Sequence, residues 1–348
     1  MEKARFKWVL RERNRKIAAK TEVFTEQQAR RVRSFHSSFK EYSPTPLIEL
    51  TSLAQHLGIK NLFVKDESYR FGLNAFKVLG GSFAIGSYIA NELGEDIDDL
   101  PYMRLVSDEV RSLLGSKTFI TTTDGNHGRG VAWTANRLKQ QAIVYMPQGS
   151  AAERLANIRA EGAQAEITDM NYDDTVRYTS ELAQKNGWII VQDTAWDGYT
   201  RIPLWIMQGY MTMALEAYEQ LPVKPTHIFL QAGVGSLAGS VQGFFADIYG
   251  SSCPLTFIVE PKGADCLYQT AAANDGSLHS VTGRLETIMA GLACGEPNSI
   301  AWEILGNLSD GFISCPDYTA AQGMRILGNP LAGDTKVSAG ESLSLIHI

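Results

Sequence analysis

Lys77 stands in the run Asn74-Ala75-Phe76-Lys77-Val78-Leu79, followed by Gly80-Gly81-Ser82. Lysine is rarely buried without a task. Apolar neighbours strip its amine of water, lower its pKa and leave a free base able to act as a nucleophile or form a Schiff base. The alternative is a surface lysine that lays its stem over apolar neighbours. On this spacing Lys77 belongs to a loop closed by a Gly-Gly-Ser turn, with a helix over 80–93.

A second group is Ala232-Gly233-Val234-Gly235-Ser236-Leu237-Ala238-Gly239. Glycines let a backbone approach a phosphate, and the N–H groups at a helix start bind it. A dinucleotide pyrophosphate calls for an acidic residue about 20 positions on at a strand end. Asp247 falls in a predicted helix instead, so a single phosphate on Gly233, Val234, Gly235, Ser236 and Gly239 is the better reading. A plain packing turn is its rival.

The third group is Thr121-Thr122-Thr123-Asp124-Gly125-Asn126-His127-Gly128. Hydroxyls, a carboxylate and open amides between a strand and a helix suit a carboxylate-bearing substrate. Asp124 is either an acid/base group or a helix cap. His127 reads as a packed or capping residue before a catalytic one. Asp193, in Gln192-Asp193-Thr194, ends a strand and points to the same mouth, or else serves the turn.

The elements that must carry these groups alternate in type. Strands are predicted at 61–65, 118–122, 142–146, 188–192, 226–231 and 255–260, with helices at 80–93, to about 138 and at 151–160, where Gly162 ends the last. Such alternation means βαβ units and parallel sheets, with ligands beyond the carboxyl ends of the strands. Every group above falls at or just after such an end.

Composition sets the frame. The 348 residues suffice for about two domains, and 44% hydrophobic with 20% charged is ordinary globular usage. No apolar run could span a bilayer and no signal peptide opens the chain, so no membrane partner is expected and the cytoplasm is. Residues 1–40 hold twelve Lys or Arg against four Asp or Glu. The arm reads as an amphipathic helix with Trp8, Val9 and Leu10 as its apolar contacts, not as a nucleic-acid or membrane anchor. Cys253, Cys266, Cys294 and Cys315 form no C-x-x-C pair, so no zinc or redox motif and no metal is expected, and the thiols read as free. Whether Cys266 and Cys294 meet in space is left open.

Lysine before Gly-Gly-Ser, a Gly-Asn loop some fifty residues on and a later glycine-rich phosphate loop resemble the fold-type II pyridoxal-phosphate enzymes. Longer stretches are more specific: Lys65-Asp66-Glu67-Ser68, Arg70 to Lys77, Thr122 to Trp133, Asp169 to Asp174, and Met289 to Pro297 closely resemble the diaminopropionate ammonia-lyase family. The likeness runs from about Phe24 to Glu341. It implies a tryptophan synthase β-like α/β fold of two parallel or mixed sheets, with a larger cofactor domain (1–84 plus 220–348) and a smaller one (85–219). It also implies pyridoxal 5'-phosphate on Lys77, Asn126 at the ring hydroxyl, and a substrate carboxylate on Thr122, Thr123, Asp124 and Gly125. The reaction implied is α,β-elimination of 2,3-diaminopropionate to pyruvate and two ammonia in a homodimer, with Lys77, Asp124 and Asp193 as catalytic groups. After Ser342 the likeness breaks, and the tail Leu343 to Ile348 reads as a truncation; the missing part is expected to bring a final strand and the partner of the pyridine nitrogen. A serine or threonine dehydratase, a nicotinamide oxidoreductase and an impaired homologue are the rival readings.

Overall fold

A computed structural model describes residues 6–12, 21–123 and 125–344. Residues 1–5 and 13–20, Asp124 and the last four residues lie outside the described residues. The strands are β1 (Lys7–Leu10), β2 (Leu47–Glu49), β3 (Phe63–Lys65), β4 (Thr118–Thr122), β5 (Gln141–Met146), β6 (Gln164–Ile167), β7 (Ile189–Ile190), β8 (His227–Gln231), β9 (Leu255–Pro261) and β10 (Gly311–Cys315). Between them run α1 (Glu26–Ser37), α2 (Thr51–Leu57), α3 (Lys77–Leu93), α4 (Tyr102–Leu105), α5 (Asp108–Leu114), α6 (Asn126–Arg137), α7 (Ala152–Ala160), α8 (Tyr172–Asn186), α9 (Arg201–Gln220), α10 (Ser236–Tyr249), α11 (Cys266–Ala273), α12 (Ser299–Leu308), α13 (Tyr318–Gly328) and α14 (Glu341–Ser344).

Two four-stranded sheets result. One, in the order β6-β5-β4-β7, is wholly parallel. The other, β1-β10-β9-β8, is parallel except for β1, which pairs antiparallel with β10. Phe119, Ile120, Thr121 and Thr122 of β4 are all buried, as a strand covered on both faces requires. The mixed-sheet α/β class is therefore as expected.

Three local expectations need correction. The leading arm is not one amphipathic helix. Trp8 and Leu10 are 64% and 68% exposed while Val9 turns inward, an alternation of period two that adds β1 to the sheet edge. The helix of the arm starts at Glu26, where the Thr25 hydroxyl accepts from the Gln28 amide. Its Arg30 and Arg33 pair with Glu219, and Arg31 pairs with Asp96 and Asp98, so these basic residues find acids within the chain.

Gly80, Gly81 and Ser82 do not turn. They lie inside α3, which begins at Lys77 itself. A Cβ on Gly80 would sit 2.7 Å from Ile206 and from the Tyr210 ring, and one on Gly130 would sit 2.8 Å from the Val78 Cα. These glycines let α9 and α6 press on either side of α3. The same helix runs unbroken to Leu93.

β10 was not anticipated, because Gly311, Ser314 and Cys315 dilute its β character. The conspicuous Lys65-to-Arg70 motif has a structural use. Arg70, fully buried, donates to Glu67 at 2.8 Å and to Glu216 at 2.7 Å, and Lys65 donates to Glu216 at 2.9 Å. This network ties the segment after β3 to α9. Removing one member would strand a buried charge, which costs about 3–5 kcal/mol.

Candidate active site

α3 starts at Lys77, so the amine projects from a helix end instead of a loop. The side chain is 18% exposed, and its Nζ donates to Asp193 Oδ2 at 2.8 Å. Asp193 follows β7 by three residues. Its segment is fixed by a tight turn in which Gly198 has φ +81°, Tyr199 N donates to Trp196 O at 2.9 Å, and the Tyr199 hydroxyl bridges the Gln192 amide and the Ile190 carbonyl. Burial works against ionising Asp193, but the Lys77 ammonium and then His127 outweigh it and hold the carboxyl down at about 2. His127 is itself a packed residue: buried in α6, its Nε2 donates to the Val191 carbonyl at 2.7 Å.

The glycine-rich loop approaches from the other sheet. It joins β8 to α10, and Gly235 takes φ +101°, where a Cβ would also meet Leu267, Ala301 and Leu305 at 3.2–3.3 Å. The Ser236 hydroxyl donates to the Asp193 carbonyl at 2.5 Å and accepts from Asn298 Nδ2 at 2.8 Å. That latch brings the loop and Asp193 together across the two sheets. Lys77, Asn126, Asp193 and the loop from Gly233 to Leu237 line one cleft.

These residues fit a phosphorylated aldehyde cofactor. The amides of Gly233, Val234, Gly235, Ser236 and Leu237 find no acceptor among the described residues. Five such donors at the start of a 14-residue helix form an anion cradle. The Lys77 amine lines the same cleft.

Gly239 is a correction. Its amide donates to the Gly235 carbonyl at 2.8 Å, and a Cβ there would meet the Ala301 Cα at 3.0 Å. It is a packing glycine between α10 and α12, and it does not line the cleft. The loop at 122–125 also differs from the open nest expected. The Thr122 amide donates to Gln192 Oε1 at 3.0 Å, and its hydroxyl is engaged with Thr179 and the Thr175 carbonyl. The Thr123 amide donates to the Tyr145 carbonyl at 3.0 Å, and the Gly125 amide to the Thr123 hydroxyl oxygen at 2.9 Å. The polarity of the loop largely holds the loop in shape.

Several cleft residues were not among the candidate site residues read from the sequence. Phe76 and Tyr210 meet edge to face at 5.1 Å, and Gly291, Leu292 and Cys294 close another side. The Met289-to-Pro297 stretch had stood out only by its likeness to other chains. None of the four cysteines is in a disulfide. Burial, then Glu260 and Cys294, push the Cys266 thiol up, so it stays protonated.

Comparison with known proteins agrees with this geometry. The family described as pyridoxal-phosphate dependent enzyme matches residues 39–337. A diaminopropionate ammonia-lyase of Escherichia coli K12 is 52% identical over 92% of this chain and 80% of its own length. One from Salmonella typhimurium is 53% identical over 89% of this chain and 78% of its own. The crystal structure of the holo Escherichia coli lyase superposes with a TM-score of 0.91 at 49% identity, covering 99% of this chain and 85% of that one. Its complex with an aminoacrylate-PLP azomethine reaction intermediate gives 0.89 at 48%. Tomato threonine deaminase, at 18% identity and a TM-score of 0.74, shares the fold. The chain therefore belongs to the pyridoxal-phosphate-dependent enzyme family and, within it, to the diaminopropionate ammonia-lyases.

Proposed function

We propose that Lys77, Asp193 and Asp124 are the acid–base groups with which this chain carries out its elimination. It is a lyase that uses pyridoxal phosphate to convert 2,3-diaminopropionate, with one water, into pyruvate and two ammonia. The observation that carries the assignment of groups is the 2.8 Å Lys77–Asp193 pair lining the same cleft as the five unengaged amides.

Lys77 would hold the cofactor and the loop from Gly233 to Leu237 its phosphate, with Asn126 toward the ring. When bound, the cofactor supplies an electron sink for charge developing at the substrate Cα. The protein has the protons to move. Ammonia leaves poorly unless protonated, and Lys77 Nζ, held against Asp193, is placed to donate to the departing amine. Asp193 keeps its negative charge across the neutral range and so favours a substrate with two amines. This is the ground for preferring the diamine over serine or threonine, whose leaving hydroxyl makes no such demand. Bases on opposite sides of Cα would serve both stereoisomers, Lys77 the L form and Asp124 the D form. With the Thr122 and Thr123 amides engaged, the substrate carboxylate would be met by the Thr123 hydroxyl and the first turn of α6.

We also propose a homodimer in the cytoplasm. Among the described residues no helix is long and apolar enough to cross a membrane. Trp8, Leu10 and Phe229 leave apolar side chains exposed on one face of the β1-β10-β9-β8 sheet for a second copy to cover. The assay is pyruvate release from D- and L-2,3-diaminopropionate, with serine and threonine as comparators. Faster turnover of either hydroxy amino acid would defeat the argument from Asp193.

A further inference from the structure

Tyr210 is the largest polar side chain of the cleft for which the acid–base scheme has no use. It lies in the middle of α9 and is 1% exposed. Its hydroxyl has no hydrogen-bond partner among the described residues. The ring cannot swing to find one. Phe76 abuts it edge to face at 5.1 Å, and it lies so close to α3 that even a methyl on Gly80 would come within 2.7 Å. A buried hydroxyl without a partner carries the cost of lost hydration with no return bond, and nearly all buried hydroxyls avoid it.

The ring lines the same cleft as Lys77, Asp193 and the glycine-rich loop. Burial, reinforced by Asp193 and opposed by Lys77, pushes the phenol well above its ordinary value, so it remains a neutral donor. The wall of the cleft therefore carries, on Tyr210, a rigid O–H donor with no partner of its own among the described residues. We infer that the Tyr210 hydroxyl is a binding group for pyridoxal phosphate, completing on the cofactor the hydrogen bond it lacks within the protein. This rests on the reading that the cleft takes that cofactor, and it adds a side chain that none of the three sequence groups contains.

The test is Tyr210→Phe, which removes the oxygen and keeps the ring. Two quantities are read on the full chain: the dissociation constant for pyridoxal 5'-phosphate, from its visible absorbance, and the melting temperature of the cofactor-free protein. The two should move in opposite senses. The variant should bind the cofactor about tenfold more weakly, the usual loss for one hydrogen bond to a charged or strongly polar acceptor. Without cofactor it should melt at the same temperature or about 1–2 °C higher, because an unsatisfied buried hydroxyl is gone. Cofactor affinity within twofold of wild type would overturn the inference. So would a cofactor-free melting temperature several degrees lower, which would mean the hydroxyl serves the fold. If the wild-type chain itself takes up no cofactor, the reading of the cleft fails first; an indifferent variant beside a binding wild type sinks the role of Tyr210 alone.

Discussion

Replacing Asp193 by asparagine keeps the shape of the side chain and an oxygen within reach of Lys77 Nζ, but removes the charge. The carboxyl is held at about 2 against an ordinary value of 3.8. A carboxylate depressed by that amount contributes about 2 kcal/mol to folding, at about 1.4 kcal/mol per unit. Asp193 is buried, so solvent screening takes little from this figure. The sign is set by the direction of the shift. The contribution is fully present above the unfolded value of 3.8 and disappears as pH falls through about 2. Asp193→Asn should therefore unfold about 2 kcal/mol more easily in urea at pH 7, a loss of about 3 °C in melting temperature for a chain of this size. The gap between variant and wild type should stay constant from pH 7 to about 5 and narrow between about pH 4 and 2. Equilibrium urea unfolding at pH 7, 5, 4 and 3 measures it. A gap equally wide at pH 3 and pH 7 would show that the carboxylate charge does not hold Lys77 and that the asparagine merely packs badly.

The other expectations follow from single contacts. Lys77→Ala should lack the visible cofactor band and all turnover; a band of full intensity would assign the cofactor to another lysine. Asp124→Asn should keep the band and lose most activity on D-2,3-diaminopropionate while losing less on the L isomer, and equal losses in a paired pyruvate assay would end the two-base division. Gly80→Ala should destabilise by about 1–3 kcal/mol in thermal melts, because a Cβ there lies 2.7 Å from Ile206 and Tyr210 and α3 must shift from α9. Unchanged melting would mean the two helices are free to part.

What the sequence disclosed and what it hid divide along a physical line. The loop around Gly235, the end of β4 at Thr122 and the segment after β7 with Asp193 were legible because strand ends in parallel sheets announce themselves locally, and Lys77 because a lysine in an apolar run is conspicuous by itself. What those residues do once placed depends on partners far along the chain. Gly80 and Gly81 look the same whether they permit a turn or a close helix crossing, and only Ile206, Tyr210 and Val131, brought in from other helices, decide for the crossing. The Thr122-to-Gly125 loop has the composition of an open nest; Gln192, seventy residues on from Thr122, engages the amide that would have opened it. Gly239 belongs to the same glycine-rich run as Gly233 and Gly235, but one further turn of helix carries it from the cleft to the face packed on Ala301. Tyr210 was invisible for the converse reason. It sits mid-helix between Gly209 and Met211, and a tyrosine there reads as core until Phe76 and α3 pin its ring against a cleft built by others. Local pattern locates the mouth of such a site, whereas the groups that close it are set by which helices cross, and the glycines at those crossings carry that information without displaying it.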